Sequence, residues 1–218
     1  MVNSYTGFGK LREVWLGDCY PAEFYSDHAP AVRDAFERIT EITKEDLAYI
    51  ETVLTELGVQ VRRPVFSGNR EDYTNKGVLL KPPIMPRDDN LVLGKQFFHL
   101  RNRYRVDPWQ SHLPNHMEII TPELECLQPP SIVRCGRDLY IDRDSHQHIW
   151  GMVGSIFLDW AQDYRVHIID TGGHSDGVFC PVAPGIIVAS CWMEEYSRTF
   201  PGWEVFQLPR ERVEHFGK

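Results

Sequence analysis

An α/β fold assembled from repeated ββαβ units is predicted by three observations. Short apolar runs come in pairs across tight turns, a helical or irregular connection follows each pair, and one more apolar strand closes each set. A single unit of this kind exposes an apolar face that only a neighbouring unit can cover, so several units in a ring give a propeller-like body with a central channel.

The first unit is the least regular. It has a strand in "REVWLG" (Arg12 to Gly17), a helical region from Ala31 to Leu57, and a strand in "VQVRRP" from Val59. Within the helical region Leu47, Ile50, Val53, Leu54 and Leu57 recur at spacings of three and four, which predicts one buried face. The second unit opens with "NLVLGKQFFHL", Asn90 to Leu100, turning at Gly94-Lys95, and closes with "MEIIT", Met117 to Thr121. The third has the plainest pattern. "SIVRCGRDLYI", Ser131 to Ile141, turns at Cys-Gly-Arg; a helix follows from about Ser145 to Gln162 with a capping box at Asp144 and Gln147, and "YRVHIID", Tyr164 to Asp170, closes it. In the fourth, Val178 to Val182 and Gly185 to Ser190 flank a Pro/Gly turn, a short helix is expected around Met193 to Thr199, and "WEVFQL", Trp203 to Leu208, is the last strand. The four units are expected to form one domain over residues 1–218.

Composition narrows the function classes. A formal charge of -8, from 31 acidic against 23 basic residues, argues against nucleic acid as a partner, because such binding rests on an excess of Lys and Arg. The one basic run, "RNRYR" at Arg101 to Arg105, reads as a solvated edge. The start "MVNSYTGFGK" lacks the apolar core of a secretory signal, and the uncharged apolar run "IWGMVGSIFL" is too short to span a bilayer. A cytoplasmic protein without a membrane partner is therefore expected. Five cysteines without a CxxC pair point to free buried thiols, not to a disulfide framework or a zinc site. A metal hydrolase, suggested by nine histidines, is disfavoured: "HLPNH" holds Pro114 between His112 and His116, and His146 and His148 in "HQH" point apart on a helix.

The chemistry-bearing residues sit at unit openings. Asp88 precedes the second hairpin, Asp138 lies in the third, and His174 and Asp176 stand at the entrance of the fourth. Carboxylates brought together in this way can hold a cationic group in one pose. An imidazole beside such a pair can give and take a proton near neutral pH. Each acid also has a purely structural reading: Asp88 capping a turn after Pro86, Asp138 pairing with Arg137 or Arg134, and Asp176 closing an Asx turn before Gly177.

"MPRDDNLVLG", "IVRCGRDLYI", "DYRVHIID" and "HSDGVFCPVAPGIIVAS", in that order, with "LREVWLG" and "LGVQVRRP" before them, resemble the arginine:glycine amidinotransferase branch of the guanidine-modifying, or pentein, superfamily. The resemblance runs from about residue 5 to 208 and implies a pentein-type α/β-propeller, here incomplete, with about four of five units. It implies a small-molecule guanidine substrate such as arginine, no cofactor and no metal. In such an enzyme a cysteine thiolate takes the amidino group and passes it to an acceptor amine. By the same resemblance His174 shuttles the proton, Asp138 orients His174, and Asp88 and Asp176 grip the guanidinium.

Two departures from the family pattern stand out. Ser131 occupies a place where an acid is common, and the Gly-rich segment with the nucleophilic cysteine is not found among the 218 residues. A homo-oligomer or a second chain completing the propeller is one expectation that follows. Cys180 is the candidate substitute nucleophile, since alternation from Asp176 sets Val178 and Cys180 on one face, with Cys135 second. A hydrolase of the same superfamily, or a non-catalytic guanidine-binding or interaction module, remains an alternative reading.

Overall fold

The computed structural model describes residues 3–100, 104–115, 118–120, 128–143, 163–172, 174–190 and 196–209. The chain divides into two compact units. One comprises Leu11–Pro86 and Asn102–Asn115; the other comprises Met1–Lys10, Arg87–Arg101 and His116–Lys218.

In the unit of Leu11–Pro86, β1 (Glu13–Trp15) pairs in parallel with β2 (Gln60–Arg62), and α1 (Pro30–Glu56) makes the crossover that parallel pairing requires. Pro30 occupies the first turn, where its missing N–H leaves no bond unmade, and Gly58 at φ +77° takes the left-handed conformation that ends the helix. The expected buried face of α1 is narrower than its apolar stripe. Leu47 is buried, but Ile50, Val53 and Leu57 are exposed at 42%, 36% and 73%. The covered line runs through Thr40, Leu47 and Leu54, seven residues apart, and the other apolar positions fall to one side of it. A short hairpin of β3 (Thr74–Asn75) and β4 (Val78–Leu79) follows. Tyr20, Phe24, Tyr25, Tyr73 and Tyr104 form the aromatic core of this unit. Gly17 is required by close approach, since a Cβ there would stand 2.0 Å from the Ile84 carbonyl oxygen.

The second unit repeats one topology three times. A single helical turn, α2 (Pro86–Asp89), leads into β5 (Asn90–Leu93), which pairs antiparallel with β6 (Gln96–Leu100); β7 (Glu118–Ile120) then joins β6 in parallel. In the same way β8 (Ile132–Cys135) and β9 (Asp138–Asp142) form a hairpin that β10 (Arg165–Ile169) extends in parallel. The third sheet has β11 (Phe179–Ala183) and β12 (Ile186–Ala189) as the hairpin and β13 (Glu204–Gln207) as the parallel strand, with α3 (Tyr196–Thr199) before it. Gly94, Gly136 and Gly185 each take positive φ in the three tight turns, as two-residue hairpin loops demand. The repeat read from the sequence is therefore present in these sheets. The expected helix from Ser145 to Gln162 and its capping box lie outside the described residues.

Alternation along β8, β9 and β11 sends Val133, Cys135, Tyr140 and Phe179 into one core with Ile169, Val178, Ile187, Ala189 and Phe200. Tyr140, Phe179 and Phe200 meet there, with Phe200 4.8 Å from each of the other two ring centroids. No helix among the described residues is long and apolar enough to cross a membrane.

Candidate functional site

The candidate site forms where β8 begins and β9 and β10 end. Beyond Ile169 the chain passes through Asp170 to Gly172, the last at φ +70°, and then enters a 3-10 turn over Ser175–Gly177 with His174 as its first flanking residue. This turn packs against the Pro129–Ser131 turn, β8, β9 and β11. Ser131, at the position where the resemblance suggests an acid, is buried in that contact.

Arg87, on α2 beside Asp88, binds the turn. Its Nε donates to Asp176 Oδ2 at 2.5 Å, and its Nη2 donates to the Ile132 carbonyl at 2.8 Å. One guanidinium thus joins α2, the start of β8 and the 3-10 turn, and it draws the segments that carry Asp88 and Asp176 to one place. The carboxylate of Asp176 serves this contact and not an Asx turn. Arg134 stands close enough to Arg87 to feel its charge; burial first, and then Arg87, hold its guanidinium below the ordinary arginine value. Nη1 of Arg134 donates to the carbonyl and the hydroxyl of Ser4, each at 3.0 Å. The imidazole of His174 is exposed and makes no hydrogen bond among the described residues.

Asp138 lies at the other end of its strand. It opens β9 next to the hairpin turn, opposite Cys135, whereas the site adjoins Asp142 at the far end. At about 3.3 Å per residue, the two ends are roughly 13 Å apart. Its carboxylate is taken by β10: Oδ1 meets His167 Nε2 at 2.7 Å and Oδ2 accepts from Arg165 Nη2 at 2.7 Å. The His167 ring stacks on Tyr140 at 4.8 Å. Asp138 therefore orients His167, not His174, in this structure.

The acid at the site end of β9 is Asp142, 1% exposed. Its Oδ2 accepts from the backbone N–H of Thr171 at 2.9 Å and from the Thr171 hydroxyl at 2.6 Å. Thr171 Oγ1 lies 3.2 Å from Ser175 Oγ. Asp142, Thr171, Ser175 and Arg87 were not singled out from the sequence. The available signal was an acid closing the apolar run "DLYID", a strand buried on both faces from Leu139 to Asp142.

The cysteines separate by environment. Cys135 is buried, and burial first, then the charges of Asp138 and Cys180, push its thiol up to about 12, so it carries no thiolate at neutral pH. Cys19 is also buried and shifted upward, by burial before the charge of Asp18. Cys180 is exposed, against the expectation that each cysteine would be a core residue. The alternation expected from Asp176 through Val178 to Cys180 does not hold. The 3-10 turn resets the phase, leaving Val178 buried while β11 turns Phe179 and Pro181 inward and Cys180 outward.

No family model matches the sequence, and no curated protein matches it either. Solved structures do. SxtG, an amidinotransferase from Microseira wollei in the saxitoxin biosynthetic pathway, is 17% identical, with TM-score 0.66 over 95% of this chain and 77% of its own. Inosamine-phosphate amidinotransferase StrB1 from Streptomyces griseus is 18% identical, with TM-score 0.62 over 96% and 76%. The N-terminal domain of ArgZ, an arginine dihydrolase from the ornithine-ammonia cycle in cyanobacteria, is 14% identical, with TM-score 0.55 over 94% and 77%. The chain shares their α/β architecture of small sheets, the pentein-type fold.

Proposed function

We propose that this pentein-fold chain is an amidinotransferase-like protein that acts on the guanidinium group of arginine or a related small guanidine. The observation that carries the reading is the seat of Arg87: a carboxylate, Asp176, and a main-chain carbonyl, Ile132, already hold a guanidinium at the candidate site. Oδ1 of Asp176 has no partner among the described residues and is open to a second cation. Asp88, on the helical turn that supplies Arg87, is the second carboxylate of the site. Two carboxylates fix a planar cation in orientation as well as in place.

His174 is the acid and base of the proposed reaction. A thiolate adds to the guanidinium carbon, the bond to the departing amine breaks, and His174 gives that amine its proton. The acceptor amine then returns a proton to His174, takes the amidino group, and releases the thiolate. Cys180 is the one exposed thiol among the described residues, and its charge acts on Cys135 at the hairpin-turn end of β8, so the identity of the nucleophile is decided by the mass measurement below. All steps are proton and group transfers, so the reading requires neither metal nor cofactor. A second reading, hydrolysis with water as acceptor, is favoured by the likeness to an arginine dihydrolase.

The test is incubation with isotope-labelled arginine and a panel of primary amines, with intact-mass measurement of the protein. A labelled amidinated amine, lost in His174→Asn and in Asp176→Asn, is the expected result. Ammonia or ornithine released without an amidinated amine selects the hydrolase. A protein that neither binds nor alters arginine or other small guanidines overturns both.

A further inference from the structure

We infer that Asp142 is a positioning residue: its buried carboxylate, acting through Thr171 and Ser175, sets the turn that presents His174 and Asp176. The inference rests on the guanidine-site reading for its functional meaning. Its structural basis is independent.

Asp142 is the register partner of Ile169, so it stands where β10 ends and the chain leaves the sheet. Its side chain reaches past that partner to Thr171 and takes both the amide and the hydroxyl on one oxygen. The amide bond alone would serve to end a strand. The hydroxyl bond does more, because it fixes the direction of the next one. With its proton committed to a carboxylate at 2.6 Å, Thr171 Oγ1 is left as acceptor, so Ser175 donates at 3.2 Å. The relay therefore runs Ser175 to Thr171 to Asp142 and ends on a buried carboxyl oxygen that accepts two bonds.

The relay spans the residues that matter. Thr171 and Ser175 flank His174, and Ser175 is fully buried. On the next residue, Asp176, Arg87 clamps the carboxylate. The chain is thus held three residues before His174, at Thr171, and directly after it, at Ser175 and Asp176, while the imidazole of His174 is exposed and makes no hydrogen bond among the described residues. An imidazole without a partner of its own takes its aim from its main chain. Here the main chain is held by a carboxyl group 32 residues earlier in the sequence.

The test uses Thr171→Val, which keeps the shape and removes the hydroxyl, and Thr171→Ser, which restores it. Asp142→Asn and Ser175→Ala are the flanking variants. Hydrogen exchange of the Gly177 and Val178 amides, which bond to His174 and Ser175, is read without ligand, and arginine affinity is read by calorimetry. In Thr171→Val both amides are expected to exchange faster, and arginine affinity to fall by about tenfold, as loss of a buried hydrogen bond with its acceptor left behind implies. Thr171→Ser is expected to return both within about twofold. Exchange at the wild-type rate in Thr171→Val, or faster exchange with unchanged arginine affinity, overturns the inference. A wild-type protein that fails to bind arginine defeats the guanidine reading instead, and the exchange rates then still decide whether the relay holds the turn. Should Asp142→Asn not fold, the Thr171 pair carries the test.

Discussion

Arg87 and Asp176 are 89 residues apart in sequence and share a hydrogen-bonded ion pair, Nε to Oδ2, at the candidate site. The same guanidinium holds the Ile132 carbonyl, so its planar fork sets the spacing between a helical turn, a strand and a loop. A lysine in its place keeps the charge and loses the fork.

Arg87→Lys is therefore expected to weaken binding of small guanidines by about tenfold and to lower the melting temperature by a few degrees. Calorimetry with arginine and a thermal melt read the two effects. Affinity equal to that of the wild type would mean that Asp176 does not depend on Arg87 for its pose.

Asp138→Asn is expected to leave guanidine affinity within about twofold, because its carboxylate works at the far end of β9. Loss of its bonds to His167 and Arg165 is expected to destabilise the fold by about 1–3 kcal/mol, towards the lower figure because Arg165 is largely exposed. Urea denaturation gives the second quantity. A large fall in affinity with little change in stability would restore Asp138 to the site.

Alkylation separates the thiols. At pH 8, iodoacetamide is expected to modify Cys180 and to leave Cys135 untouched in the folded protein, since Cys180 is exposed and Cys135 is a buried thiol raised to about 12. Peptide mapping after a short exposure checks this. Rapid labelling of Cys135 would contradict its burial.

The shift at Cys135 also fixes a sign for alkaline stability. Its acid form is favoured in the fold, so the unfolded chain gives up the proton first, near the ordinary value of 9.0, and the folded chain only near 12. The contribution is complete below pH 9 and is lost as pH rises through that window. The buried phenols of Tyr20 and Tyr140 are raised as well, each by burial first, and add to the same trend. Denaturant midpoints at pH 8 and pH 10.5 are expected to differ more for the wild type than for Cys135→Ala. An equal difference in the two proteins would place the alkaline dependence elsewhere.

Much of the sheet repeat was legible in the sequence, because glycine turns and period-two runs are local signals. Gly94-Lys95, Gly136-Arg137 and Pro184-Gly185 mark the hairpins, and β10 and β13 fall inside the runs expected for them. The site was legible only in part. Asp88, His174 and Asp176 belong to segments tied together by Arg87, but which end of a hairpin faces the site is a long-range fact, and so Asp138 was read with the wrong histidine. Asp142 depends on Thr171, 29 residues away, a partner that no local pattern announces. Cys180 was misread because one 3-10 turn shifts the alternation, and the α1 stripe because tertiary cover, not periodicity, decides which part of an apolar face is buried.

The turn at Gly136 lies at the opposite end of the β8–β9 hairpin from the loop that carries His174, and open space surrounds the point where a Cβ would stand. An engineer looking for a place to open the polypeptide, to splice in a peptide epitope or to divide the molecule into two complementing fragments, would begin there. The sheet itself would separate the graft from that loop.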